Sequence, residues 1–369
     1  MDLKSLHWLR NPPNQTFDIE NHPDLHLGLN TFLISMNSSV DTYVTMWEAI
    51  LRWHPEDQIP LYDQIKWMIM EITGITSVML PMCKNSCLTF TWPFSNLDKC
   101  LKCNEPKLGP LMKKPYQEFH TILLGPILQA LWWEPSSTQR FQYHWTITCS
   151  IIAELEANKG NLSSYDDFFH GANYLKNIKK GDLSNDNLVL MLSMDGTQLY
   201  AHKASNCWIY IWVIMDLSLD ECYKKRHVLP SRFIPSPNKP KNIDSFPFTR
   251  LHHLSALQWE GLRIWDASEY CLFVSKLFLG LNTADGPGMV YLNGLVGHHC
   301  QGTPFKINPH NELQHPQLNQ HTLCSSTLTM TLANSRCISM HLISEASAKP
   351  GNIGWVWTYI LYFIVLNYI

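Results

Sequence analysis

The sequence has few charged residues and no excess of one sign. Asp, Glu, Lys and Arg make up 16% of the 369 residues, and the formal net charge is −3. A uniformly basic coat for nucleic acid is thereby excluded, so any contact with DNA must come from a local patch. Hydrophobic residues make up 45%, which is typical of a globular chain rather than a disordered one.

The sequence also lacks an export signal, internal repeats and low-complexity segments. Residues 1–10 carry charges and no apolar run of the length that a secretory signal needs. The eleven cysteines are therefore expected in a reducing compartment, nuclear or cytoplasmic, where thiols bind metal or pack as small apolar groups.

One uncharged stretch, 353–369, favours a different location. Its seventeen residues reach the lower limit for a membrane-spanning helix, so a tail-anchored membrane protein is an alternative. A buried strand, or out-of-frame translation of an interrupted gene, explains the same stretch and is the preferred interpretation.

The pattern of apolar residues predicts helices first and strands later. Helical spacing covers 61–72, 119–133 (kinked or divided by Pro126) and 146–157. Short apolar runs then predict three strands in an antiparallel meander, followed by a helix and a fourth strand. These five elements lie at 188–194, 207–215, 223–234, 251–265 and 272–281. This strand-strand-strand-helix-strand order is the core order of an RNase H-like fold, in a chain of α+β or α/β class.

Four cysteines form the most specific motif. Cys83, Cys87, Cys100 and Cys103 are spaced C-x3-C-x12-C-x2-C, and two short chelating pairs of this kind supply the tetrahedral ligands of a structural zinc ion. Phe90, Trp92 and Phe94 lie between the pairs, and we expect them to form a small apolar wall. Unligated or disulfide-paired cysteines are the alternative, and a catalytic zinc is disfavoured because all four positions would be filled.

Two aspartates, each followed by glycine, end predicted strands. Asp195 follows the first strand and Asp285 the fourth, and these two strands are neighbours in an RNase H-like sheet. Converging carboxylates suit Mg²⁺ or Mn²⁺, and two such ions can activate the attacking oxygen and stabilise the leaving oxygen of a phosphodiester. Asp-Gly after a strand is also an ordinary turn signal. Asp266 is a competing candidate, equally consistent with a turn.

The most basic neighbourhood runs from the start of the third predicted strand into the connection to the helix that follows. Its cations are candidate phosphate contacts, although lysines on a solvated edge strand explain them nearly as well. They are Lys224, Lys225, Arg226, Lys239 and Lys241.

Several ordered segments resemble the transposases of CACTA-type (En/Spm) elements over 61–299. These are MCKNSC and CLKCNEP around the cysteines, SYDDFFHG, MDGTQLYAHKASNCWIYIWVIMDLS, YKKRHVLP, IPSPNKPKNIDSF and NTADGPGMVYLNGLVGHH. The resemblance implies an acidic-triad enzyme that cuts DNA at transposon ends with divalent metal and works as a homo-oligomer. Asp195 matches the first acid, and Asp285 is the choice for the second, with Asp266 as the fallback.

The departures from the family imply an inactive, truncated copy. After His299 the pattern ends, and neither Glu312 nor Glu345 lies in the context of the third acid. The expected organisation is a poorly defined segment (1–60), a helical region (61–160) with a zinc module (83–103), a partial RNase H-like core (161–299) and a divergent tail (300–369). A non-catalytic zinc protein that binds DNA or another protein is the alternative.

Overall fold

The computed structural model describes residues 3–12, 17–35, 38–110, 113–198, 206–236, 240–242 and 245–284. Within these ranges the chain has the expected α+β class. The helices are Leu3–Arg10 (α1), Pro23–Ser35 (α2), Val40–Trp53 (α3), Tyr62–Thr73 (α4), Leu124–Leu131 (α5), Pro135–Arg140 (α6), Tyr143–Ala157 (α7), Ala172–Lys180 (α8) and Phe248–Glu260 (α9). The strands are Ser77–Met82 (β1), Gln117–Ile122 (β2), Leu188–Gln198 (β3), Asn206–Ile214 (β4), Val228–Ser236 (β5), Leu262–Asp266 (β6), Cys271–Ser275 (β7) and Leu277–Ala284 (β8).

Three of the first four helices pack together ahead of the sheet. The side chain of Ser39 caps α3 by accepting a hydrogen bond from the backbone N–H of Thr42 at 3.3 Å. Buried Tyr43 of α3 donates its hydroxyl to the carbonyl of Pro60 at 2.6 Å, just before α4. Helix α4 coincides with the helix predicted over 61–72, and it ends at Gly74 in the left-handed conformation that favours glycine.

A six-stranded mixed sheet forms the centre of the molecule. Its strand order is β1-β2-β5-β4-β3-β8. Strands β3, β4 and β5 pair antiparallel in succession, so the predicted meander is confirmed. Strand β8 pairs parallel to β3. The central strands β3 and β4 are long apolar runs because both of their faces are covered.

The structure corrects two of the predicted elements. The helix expected over 119–133 is strand β2 followed by helix α5, and Pro126 falls in the first turn of α5, where it interrupts no helical hydrogen bond. The helix expected over 251–265 ends at Glu260, because Gly261 has a φ of 77° and turns the chain into β6. The strand expected over 272–281 is divided between β7, which pairs with β6 in a separate hairpin, and β8.

Strand pairing also crosses the expected boundary at residue 160. Strand β2 pairs antiparallel with β5, with His120 opposite Phe233 and Thr121 opposite Arg232. The region 61–160, expected to be mainly helical, therefore contributes two strands to the same sheet as β3–β5. Residues 83–116 form a long connection between β1 and β2 that contains the four cysteines.

No helix in the described ranges combines the length and the apolar character that crossing a membrane requires. The stretch 353–369 lies outside those ranges, as does all of 285–369.

Two buried arginines, one on β5 and one on α9, have no carboxylate partner among the described residues. Arg232 of β5 is 0% exposed and Arg250 of α9 is 2% exposed. The guanidinium groups lie over aromatic rings, 4.6 Å from Phe119 for Arg232 and 4.6 Å from Tyr210 for Arg250. Arg232 donates through Nε to Thr121, but its Nη1 and Nη2 have no hydrogen-bond partner in the described chain. Burial lowers the pKa of both guanidinium groups, and the positive charge of Arg250 lowers that of Arg232 further.

Replacing Arg232 by leucine should therefore stabilise the fold. An uncompensated buried charge costs more than an apolar side chain of similar volume, so we expect the free energy of unfolding to rise by about 1 to 4 kcal/mol. Urea unfolding measures it, with Arg263→Leu on the exposed face of β6 as the control that should change stability by less than about 0.5 kcal/mol. A loss of stability in Arg232→Leu would contradict this account of the buried pair.

Candidate metal centre

The first cysteine pair lies on a tight turn that extends β1. Met82 and Thr89 form an isolated antiparallel bridge, and the N–H of Cys83 donates to the carbonyl of Leu88 at 2.9 Å. Ser86 has a positive φ of 55° inside this turn. The turn folds Cys87 back towards Cys83, so that both sulfur atoms face the same side.

The second pair lies on a turn of similar design. Lys99 and Pro106 form the bridge that closes it, and the N–H of Cys100 donates to the carbonyl of Glu105 at 2.8 Å. Asn104 has a φ of 60° and donates its N–H to the carbonyl of Cys100 at 2.8 Å. Asparagine tolerates this left-handed conformation better than most residues, so the residue after the pair is suited to its position.

The two turns bring four free thiols together. One ligand atom from each of Cys83, Cys87, Cys100 and Cys103 lies within 4.8 Å of the others. The sulfur atoms of Cys83 and Cys103 are 3.4 Å apart, far longer than a disulfide bond of about 2.05 Å. A tetrahedron with zinc–sulfur bonds of about 2.3 Å separates its sulfur atoms by about 3.8 Å. The cluster can therefore hold a metal ion such as zinc, as the spacing predicted.

Hydrogen bonds to the sulfur atoms also fit a metal thiolate. The N–H groups of Asn85 and Lys102 donate to Cys83 and Cys100, each at 3.4 Å. The side-chain amide of Asn85 donates to Cys103 at 3.6 Å. Such donors stabilise negative charge on sulfur, because they place partial positive charge beside it.

The thiol pKa values differ across the cluster. Burial raises the pKa of Cys83 to about 11, and burial raises that of Cys87 further. Burial acts in the same direction on Cys103, but hydrogen bonds from Glu105, Asn85 and the neighbouring thiols outweigh it and lower its pKa to about 6. Metal binding at neutral pH must therefore displace protons from Cys83 and Cys87.

The apolar wall expected between the pairs is only partly present. Phe90 is buried with Leu88 in a small cluster around the cysteines, and Phe94 packs against it. Trp92 is 66% exposed and stacks instead on Phe248 of α9, with ring centroids 5.1 Å apart. Trp92 therefore joins the module to the helix rather than filling the module core.

Hydrogen bonds attach the first cysteine turn to Asn242 and Ser245, which precede α9. The N–H of Asn242 donates to the carbonyl of Cys87 at 2.7 Å. Thr89 donates its N–H to the hydroxyl of Ser245 at 3.1 Å and its own hydroxyl to the Ser245 carbonyl at 2.9 Å. No local pattern predicts this attachment, because its partners are more than 150 residues apart in the sequence.

The three acidic candidates occupy different settings. Asp195 is half-buried in β3, opposite Ile209 of β4. Asp285 lies outside the described residues. Asp266 ends β6 in the separate hairpin, where its Oδ1 accepts hydrogen bonds from the N–H and hydroxyl of Ser268 at 2.8 and 2.7 Å. The geometry of Asp266 is that of a turn residue.

Two of the five cations in the predicted basic patch share one carboxylate. Glu221 accepts from Arg226 at 2.7 Å and from Lys224, and these hydrogen bonds lower its pKa to about 2. The backbone of Lys225 lies in the short 3-10 turn Lys225–His227. Lys241 is exposed, and Lys239 lies outside the described residues.

The structure contains a buried ion pair that the sequence did not predict. His144 of α7 and Asp216, just after β4, lie 2.6 Å apart and are 2% and 1% exposed. The other carboxylate oxygen of Asp216 accepts from the N–H of Val189 at 2.8 Å. Burial raises the pKa of Asp216; burial alone would lower that of His144, but the neighbouring carboxylate raises it. The pair connects α7 to the sheet and is part of the structural framework of the fold. A single His and a single Asp form no sequence motif, so the sequence did not predict the pair.

No protein-family model matches this chain, and no curated protein matches it.

The purified chain should contain about one zinc per molecule by elemental analysis. We expect the Cys100→Ser, Cys103→Ser double variant to lose the metal, since two remaining thiols cannot complete the tetrahedron. The matched control is Cys149→Ser, Cys271→Ser, which removes two exposed thiols outside the cluster and should keep the full zinc content. Zinc retained in the first variant, or lost equally in both, would contradict the assignment of ligands.

Proposed function

We propose that this chain is a transposase-derived DNA-binding protein with an RNase H-like core and a structural zinc module, and that it does not cut DNA. The observation that carries the proposal is the order of the central strands. It is supported by the cysteine cluster, and by the segments that resemble CACTA-type transposases.

The sheet topology supports the RNase H-like interpretation. Three consecutive strands, β3, β4 and β5, pair antiparallel, and helix α9 follows them. Strand β8 then lies beside β3 and runs parallel to it. The strand order β5-β4-β3-β8 agrees with the expected core, with the β6–β7 hairpin as an addition between the helix and the last strand.

The strand register supports Asp195 and Asp285 as the remaining acidic pair. Met194 of β3 is the register partner of Ala284 of β8. In the sequence Asp195 directly follows Met194, and Asp285 directly follows Ala284. Carboxylates that follow paired positions on neighbouring parallel strands suit Mg²⁺ or Mn²⁺, the ions that assist phosphodiester cleavage in the intact family.

The absence of a matching third acid is the reason to propose inactivity. Glu312 and Glu345 are the only acidic residues after Asp285, and neither lies in a segment that matches the family. Two carboxylates alone hold divalent ions weakly and position them poorly. DNA binding does not depend on this third ligand, because phosphate contacts come from surface cations.

A salt titration with duplex DNA and a nicking assay with Mg²⁺ or Mn²⁺ test the proposal. We expect binding that weakens steeply as salt increases, and no strand cleavage by the wild type or by Asp195→Asn. Absence of DNA binding at low salt would contradict the proposal and favour a zinc-containing protein that binds another protein. Metal-dependent nicking that Asp195→Asn abolishes, and that the exposed control Asp220→Asn retains, would contradict the inactivity.

A further inference from the structure

The cysteine module is rich in lysine. Residues 83–116 contain six lysines against one aspartate and one glutamate, a balance of +4 in a chain whose net charge is −3. The rest of the sequence is therefore acidic in sum. This concentration of charge lies in the connection between β1 and β2, and we call it the module surface.

Two of the six lysines are engaged within the module. Lys84 forms an ion pair with Glu105 at 2.9 Å, and Lys107 donates to the carbonyl of Ser95 at 2.9 Å. The other four are exposed, and no ion pair is found for them among the described residues. They are Lys99, Lys102, Lys113 and Lys114.

These four lysines are carried on short closed turns. Lys99 and Lys102 belong to the turn of the second cysteine pair, closed by the bridge from Lys99 to Pro106. Lys113 and Lys114 belong to the next turn, closed by the bridge from Leu108 to Pro115. Cations held on a fixed frame lose less conformational entropy on binding than cations on a mobile chain.

Lys241 is brought to the same module by its main chain. Its N–H donates to the carbonyl of Ser86 at 3.2 Å, and its side chain is exposed. In contrast, Lys224 and Arg226 at the patch expected from the sequence both contact Glu221. Lys241, one of the cations of the patch expected from the sequence, therefore adds to the module surface.

A bound zinc ion would not remove this positive charge. Four thiolates and one Zn²⁺ carry a net charge of −2, and three of the four cysteines are buried, with the sulfur atoms of Cys83 and Cys100 accepting N–H donors. The side chains of 83–116 contribute +4 and the cluster −2, so the zinc-bound module keeps a net charge of +2.

We propose that the metal-bound module surface is the site that contacts the DNA backbone, through Lys99, Lys102, Lys113, Lys114 and Lys241. This inference rests on the proposed DNA binding and specifies where it occurs. Contacts from lysine ammonium groups to phosphates carry no sequence information, so the surface binds duplexes of any sequence.

Lysine-to-glutamine variants of the full zinc-loaded chain test the inference. The first is Lys99→Gln, Lys102→Gln, Lys114→Gln. The matched control is Lys176→Gln, Lys179→Gln, Lys180→Gln, which removes the same charge from exposed positions of α8. Kd for a short duplex is measured against salt, and the zinc content of each variant reports whether the module is folded. We expect the first variant to reduce the salt slope by up to about 2.7, or about 0.9 for each phosphate contact, and the control to change it little.

The remaining outcomes separate the inference from the proposed function. Equal losses in both variants would show an effect of net charge and overturn the inference. Unchanged binding in both would overturn it while the proposed DNA binding stands. No binding of duplex DNA by the wild type would overturn both. Tighter binding to anionic phospholipid vesicles than to DNA, lost in the first variant alone, would assign the module surface to a membrane and overturn the DNA assignment.

Discussion

The convergence of four cysteine sulfurs on one point is the constraint on which the least regular part of the structure depends. The connection between β1 and β2 contains turns and isolated bridges, but its own apolar core is small. Burial holds the pKa of Cys83 and Cys87 well above neutral pH, so these two thiols would stay uncharged in a metal-free cluster and would attract their neighbours only weakly. A tetrahedral metal replaces those weak contacts with four strong bonds, and metal binding is then a large part of the folding energy of such a module.

The cysteine module is attached to the sheet in two ways, through the strands at its ends and through the segment before α9. Strands β1 and β2 anchor its two ends, and the pairing of β2 with β5 makes these strands part of the central sheet. On the other side, Asn242 and Ser245 attach the segment before α9 to the first cysteine turn, and Trp92 stacks on Phe248 within α9. A metal that orders the module therefore also helps to position the helix that covers the sheet. This arrangement explains how the cysteine cluster can matter for the whole fold.

Local patterns predicted the elements whose signals are local. Strands β3 and β4 are continuous apolar runs, helix α4 has clear helical spacing, and the cysteine spacing indicated a shared metal site. The prediction failed at β2 because an apolar stretch beside Pro126 fits a strand followed by a helix as well as a kinked helix. Long-range pairing decided that case, through contacts with β1 and β5.

Local patterns also could not predict which charged side chains are buried or paired. The sequence predicted Lys224 and Arg226 as phosphate contacts, but both form ion pairs with Glu221. The buried Arg232 and Arg250 carried no sign of their burial, because each becomes enclosed only when α9 packs on the sheet. Tertiary contacts therefore decide which cations remain available to a partner, and the exposed lysines of the cysteine module are among those that remain.

Hydrogen exchange at two backbone amides tests most directly whether a metal fixes the module against the sheet. The amides of Thr89 and Asn242 donate across the contact between them, whereas the amide of Met215 donates to Val189 within the sheet region and serves as the reference. The account predicts slow exchange at Thr89 and Asn242 in the zinc-bound chain and much faster exchange after chelation, with Met215 little changed. Equal protection of Thr89 and Asn242 with and without zinc would contradict it.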